Sequence, residues 1–240
     1  MNWQNVATIA RKDITIMMTR RSLRIALVVL PLGLAVLFSQ IIARSSMTAV
    51  ELPKTLTAFL FFFMIYTGAL PANLASYSMV GEKVERSLEP LLATPASDSE
   101  ILLGKALAAL IPPLVVMWAG MVTLMALCDA YTHAALGYLY FPNWLAVVTV
   151  FGLAPLLGVM AVAFSVLMSA RVSEVRTAQQ LGALTAIPGL ILYIGLLTGA
   201  FSLDVVSLVV IASILAVLDA GLALAARATF HREEILTRWA

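Results

Sequence analysis

The 25 residues LTAFLFFFMIYTGALPANLASYSMV, positions 56–80, contain no Asp, Glu, Lys or Arg. A charge-free run of about 20 residues is long enough to cross the hydrocarbon core of a bilayer as a helix, where every backbone amide finds its partner within the same segment. Five further runs share this character: residues 25–42, 106–127, 145–168, 181–201 and 205–226, the last interrupted only by Asp219. All are continuous and rich in Leu and Ala, without the alternation of a barrel strand. The chain therefore reads as an all-α polytopic membrane protein with six transmembrane helices. Residues 202–204 alone separate the last two runs. That short link leaves open a re-entrant hairpin plus one span in their place.

The whole chain fits this reading. Of its 240 residues 62% are hydrophobic and 12% charged, with a mean hydropathy of +0.99, whereas a water-soluble domain of this length needs far more polar surface. Residues 1–22 carry charges and no apolar core, and the first apolar run is a full span, so no cleaved signal peptide is expected. The single cysteine, Cys128, excludes an internal disulfide and offers no metal cluster. A net charge of +2 gives no reason to expect a nucleic-acid partner.

The positions of the charges set the orientation. With six spans, one face collects Arg11, Lys12, Arg20, Arg21, Arg24, Lys83, Arg86, Lys105, Arg171, Arg176, Arg227, Arg232 and Arg238, and the other only Arg44 and Lys54. Thirteen cations against two place the first face, with both termini, in the cytoplasm of a multi-pass cell-membrane protein. The connection 128–143 lacks Lys and Arg and carries Tyr131, Tyr138, Tyr140 and Phe141, followed by Trp144, as an outer aromatic belt would. Residues 1–22 form an amphipathic helix with Trp3, Val6, Ala10, Ile14 and Met17 on one face. Such a helix either lies in the inner interface against lipid or packs as an elbow on a partner. The chain is thus one membrane domain, 1–240: interfacial helix 1–22, spans one and two within 25–80, a cytoplasmic loop 81–104, spans three to six within 105–226, and a tail 227–240.

The loop is the most informative segment. Residues 81–105 read GEKVERSLEPLLATPASDSEILLGK. Val84, Leu88, Leu91 and Leu92 share one helical face that Glu82, Glu85, Arg86 and Glu89 avoid. Pro90 suits the first turn of a new short helix, which Thr94-Pro95 ends, and Ser97 with Glu100 makes a capping box for the third span. A leucine face in water costs about 25 cal/mol per Å² until something covers it. Acidic flanks disfavour the negative inner leaflet and favour a groove on a soluble partner.

This segment, through the pattern EK…SLEPLLATP…EILLGK, resembles the first intracellular loop of ABC-2 type transporter permeases, in particular the sodium-exporter-like group of type V ABC exporters. The stretch SARVSEVRTAQQLGALTAIP, 169–188, is similar to that family's fourth-to-fifth loop, and ARKDITIMMTRRS, 10–22, to its elbow helix. The resemblance implies a permease that pairs with a second permease copy and binds a cytoplasmic ABC ATPase subunit, which holds ATP and Mg. It also implies that the loop forms a coupling helix, with Glu82, Glu85, Leu88, Glu89, Leu91 and Leu92 as the ATPase contacts. It further places the fifth span, with Gly195 and Gly199, at the dimer interface. Two departures stand out: Arg86-Ser87 replaces the Gly-Thr of many relatives, and the outer element between the last two spans is nearly absent.

No phosphate-binding loop occurs in the chain. Gly104-Lys105-Ala106 lacks the hydroxyl and the upstream glycine that cradle phosphate and magnesium, so the chain is not expected to be an enzyme and any ATPase must act in trans. Prolines 31, 71, 112, 113, 155 and 188 fall within five spans and free backbone carbonyls there. Asp219 is the one carboxylate well inside a span, where exposure to lipid costs roughly 2.5–3.5 kcal/mol. It reads either as a contact in the substrate pathway or as a residue paired with a neighbouring helix. An ion-driven transporter or channel would carry several mid-membrane charges, and an intramembrane enzyme paired catalytic groups; the spans hold neither. The sequence does not identify a substrate.

Overall fold

The computed structural model describes residues 1–81, 96–169, 171–172, 174–200 and 203–229. They form α1 (Trp3–Thr19), α2 (Arg21–Arg44), α3 (Leu52–Ser76, prolonged by a π turn Tyr77–Gly81), α4 (Asp98–Leu136), α5 (Trp144–Ser169), α6 (Val175–Thr198) and α7 (Val205–Thr229). The described residues contain no strand, and six helices, α2 to α7, are long and apolar enough to cross a membrane. The last two apolar runs are thus two separate helices. Gly199, with φ +74°, closes α6 in the left-handed conformation. Asp204 caps α7 by accepting from the Ser207 amide at 2.9 Å, and hydrogen bonds from the Ser207 hydroxyl and amide hold its carboxyl below the usual range.

Alternating spans put α1, the start of α4, the α5–α6 connection and the end of α7 at one end of the bundle, called basal here. The opposite end is called distal. Helix α3 is the centre. It packs against α4, α5 and α6, and its Leu56, Ala58, Leu60, Phe61, Phe63 and Met64 are fully buried. Helix α7 packs mainly on α5 and leaves Val206, Val209, Val210, Val217 and Leu224 exposed. With Val29, Leu37, Val122 and Ile191 on other spans, this gives an apolar exterior that suits lipid as the solvent.

Two spans touch almost backbone to backbone. A Cβ on Gly68 of α3 would lie 2.4 Å from the Thr185 carbonyl oxygen, and one on Gly189 of α6 would lie 2.6 Å from the Met64 carbonyl carbon. Small residues are what permit such an approach.

The third span differs from the expected 106–127. It is one helix of 39 residues, about 58 Å long, and runs through Pro112-Pro113 without breaking. Its distal third keeps helical geometry because Asp129 and Thr132 are buried and partnered rather than solvated in a loop. Asp129 accepts from the amides of Tyr140 and Phe141 at 3.0–3.2 Å, and the Thr132 hydroxyl donates to the Cys128 carbonyl at 2.9 Å. Gly137, at φ +77°, ends the helix.

Two of the prolines coincide with a change of helix type. Pro155 follows a π turn at Thr149–Leu153, and Pro188 follows a 3₁₀ turn at Leu184–Ala186. Pro31 and Pro71 sit inside continuous α-helix.

Candidate functional site

The six residues assigned to ATPase contact, Glu82, Glu85, Leu88, Glu89, Leu91 and Leu92, lie outside the described residues. Both roots of their segment are described, and helix α1 holds each of them.

The following root is Ala96–Ser97 and the start of α4. Ser97 and Glu100 form the expected capping box: the Ser97 amide donates to Oε2 of Glu100 at 3.1 Å, and the Glu100 amide to Oγ of Ser97 at 3.4 Å. The same carboxylate reaches further than its own helix. It also accepts from the Asn2 amide and from Nδ2 of Asn5 at 2.9 Å. One glutamate therefore caps α4 and fastens the first turn of α1 to it. One turn further on, Gly104 lets α1 approach, since a Cβ there would lie 2.9 Å from Ile9 Cβ.

The preceding root is the π turn Tyr77–Gly81. Ser78 donates its hydroxyl to Oδ2 of Asp13 on α1 at 3.0 Å. Lys105 of α4 donates to the same oxygen at 3.1 Å and to Oγ of Ser78 at 3.3 Å. Lys105 is 1% exposed and Asp13 3%. A desolvated ion pair of this kind stands only with good geometry and further hydrogen bonds, and removing one partner is costly. Arg20, just beyond α1, lies over the ring of Tyr77 at 4.5 Å, a second tie to this root.

Helix α1 is thus neither solely a lipid anchor nor free. Val6, Ile9, Ala10, Asp13 and Met17 face the bundle, while Trp3, expected on that face, is 64% exposed. Sequence reasoning passed over Asp13, Ser78, Asn2 and Asn5, and took Lys105 as an inside charge and as part of a rejected phosphate-loop candidate. A visible signal existed: Asp13 falls on the stripe of Val6, Ala10 and Met17, where a carboxylate requires a buried cation.

Asp219 is buried on α7, and neither carboxylate oxygen has a hydrogen-bond partner among the described residues. Gly195 is buried within this chain, and Gly199 is the exposed cap at the distal end of α6. Cavities open on the flanks of the bundle among the described residues. One of about 340 Å³ lies distally between α4 and α5, with Val150 and Phe151 of the π turn in its wall. Another, of about 220 Å³, opens basally between α4, α5 and α7. The described residues contain no group of three metal-ligating side chains.

A family profile described as "ABC-2 family transporter protein" matches residues 7–207. No curated protein matches the chain. The profile reaches from α1 into the first turn of α7 and so includes both roots and the segment between them.

Proposed function

Because the chain belongs to the ABC-2 family of transporter proteins, we propose that its residues 82–95 dock on a separate cytoplasmic ABC ATPase and that the spans form the pathway of an exporter. The chain itself is a membrane transport component. ATP and Mg are held by the partner. The basal end faces the cytoplasm, as the distribution of Lys and Arg supports.

The observation that carries this reading is the clamp of α1 on both roots of the segment. A loop that only connects two spans needs no such support. A loop that receives force needs a rigid base, and the base here joins α1, α3 and α4 through Asp13, Ser78 and Lys105. Leu88, Leu91 and Leu92 supply the apolar anchors of the docking face, and Glu82, Glu85 and Glu89 supply charge beside it. A second permease copy completes the pathway. The fifth span offers it the exposed stripe of Ile187, Ile191, Ile194 and Leu197.

The test is co-purification from native membranes. Replacing Leu91 or Leu92 with Asp abolishes ATPase binding and leaves the permease in the membrane at unchanged abundance. A complex that survives both changes overturns the assignment.

A further inference from the structure

Asp219 presents an unmet demand. It is 7% exposed, and neither oxygen has a partner among the described residues. On α7 it shares a face with Ala223 and Ala226, four and seven residues on. Those two alanines line the 220 Å³ basal crevice, whose other walls include Leu107, Leu110, Val159 and Val162. On α7 the wall of the crevice ends at Ala223, one helical turn short of Asp219.

The chemistry of a ligand for this place is constrained. A divalent metal wants six or more oxygen ligands, or a set of His and Cys, and no such cluster exists among the described residues. Arg227 is exposed at the mouth, about 12 Å along the helix, where headgroups and salt screen it. An organic ammonium ion asks for less. One carboxylate satisfies its charge, and apolar walls satisfy its substituents.

We propose that Asp219 and the crevice between α4, α5 and α7 form a binding site for a lipophilic organic ammonium ion, with the alkyl body in the crevice and the charged nitrogen at the carboxylate. The site goes beyond the permease reading and rests on it only for calling such a compound cargo. Its test needs no ATPase, so its failure leaves the coupling assignment untouched.

The full-length protein in phosphatidylcholine nanodiscs is treated with dicyclohexylcarbodiimide, which modifies carboxyls in apolar surroundings, and the Asp219 peptide is followed by mass spectrometry. Dodecyltrimethylammonium slows its modification at least about fivefold and dodecanol does not. Direct binding of dodecyltrimethylammonium weakens at least about tenfold in Asp219→Asn, while Arg171→Gln, at the exposed basal connection, binds normally. Equal protection by the alcohol shows an apolar crevice without charge recognition and overturns the proposal. So does modification that neither compound slows, an Asp219 that never reacts, or unchanged binding in Asp219→Asn.

Discussion

The indole nitrogen of Trp118 on α4 donates to the carbonyl oxygen of Val150 on α5 at 2.8 Å. That carbonyl is the one Pro155 cannot serve. Across the π turn Thr149–Leu153 the Ala154 amide bonds the Thr149 carbonyl, five residues back, and the next donor in this register would be residue 155. Proline has no N–H to give. The indole of a neighbouring span fills the gap that the proline opens, and the π turn holds the carbonyl where the indole reaches it.

A cycle of two substitutions tests this dependence. Trp118→Phe leaves the Val150 carbonyl unpaired in an apolar setting and lowers stability by about 1–3 kcal/mol. In a Pro155→Ala background the new amide can take that carbonyl, so the same change costs less. Thermal unfolding of the four proteins in one detergent gives the coupling directly. Additive shifts would show that Trp118 acts through its bulk alone.

The contact of α3 with α6 makes a sharper steric prediction. Gly68→Ala and Gly189→Ala each drive a methyl into backbone that has no rotamer to escape with, and each lowers stability by about 3 kcal/mol, the upper end for overpacking. Gly33→Ala on α2 is the control. Nothing lies within 4 Å of its added carbon, and removing a helical glycine raises stability by up to about 1 kcal/mol. Melting temperatures that move together in all three variants would refute the close approach.

At the basal clamp, Asp13→Asn takes from Lys105 the carboxylate it meets at 3.1 Å, and Lys105→Met takes from the buried Asp13 that cation; each change costs up to about 3–5 kcal/mol. The double replacement removes both charges and costs less than either single one. Unfolding midpoints of the three variants decide the matter. The clamp also makes a positional forecast: limited proteolysis within residues 82–95 speeds up in Asp13→Asn, which loosens the described roots, and is unchanged in Gly33→Ala.

These residues also mark where the sequence stops being legible. Long apolar runs locate all six spans because lipid forbids unpaired backbone, and that rule acts locally. The Ser97–Glu100 box is equally local and is found as read. The Asp13–Lys105 pair joins residues 92 apart in the chain, and only the path of the fold brings them together. Asp129 and His133 read as loop residues by their polarity, yet α4 continues past them because the 137–143 turn supplies amides to Asp129. The prolines are visible in the sequence, but which of them alters helix type is decided by neighbouring helices. Trp118 accepts the consequence at Pro155. The Thr185 hydroxyl bonds the Gly68 carbonyl beside the turn that precedes Pro188.

Orientation can be read with the protein's own cysteine content. Cys128 is fully buried, so it contributes little to labelling by a polar maleimide in intact cells. Leu139, 63% exposed in the distal turn, and Trp3, 64% exposed on α1, are suitable reporter positions. Leu139→Cys is labelled in intact cells by a reagent that does not cross the membrane. Trp3→Cys is labelled only after the membrane is opened. The expectation follows from the thirteen Lys and Arg that the alternation of spans assigns to one face against Arg44 and Lys54 on the other, a bias that fixes insertion before any tertiary contact forms. The reverse pattern would put residues 82–95 outside the cell, where no ATP-hydrolysing partner could reach them, and would remove the basis for the coupling role.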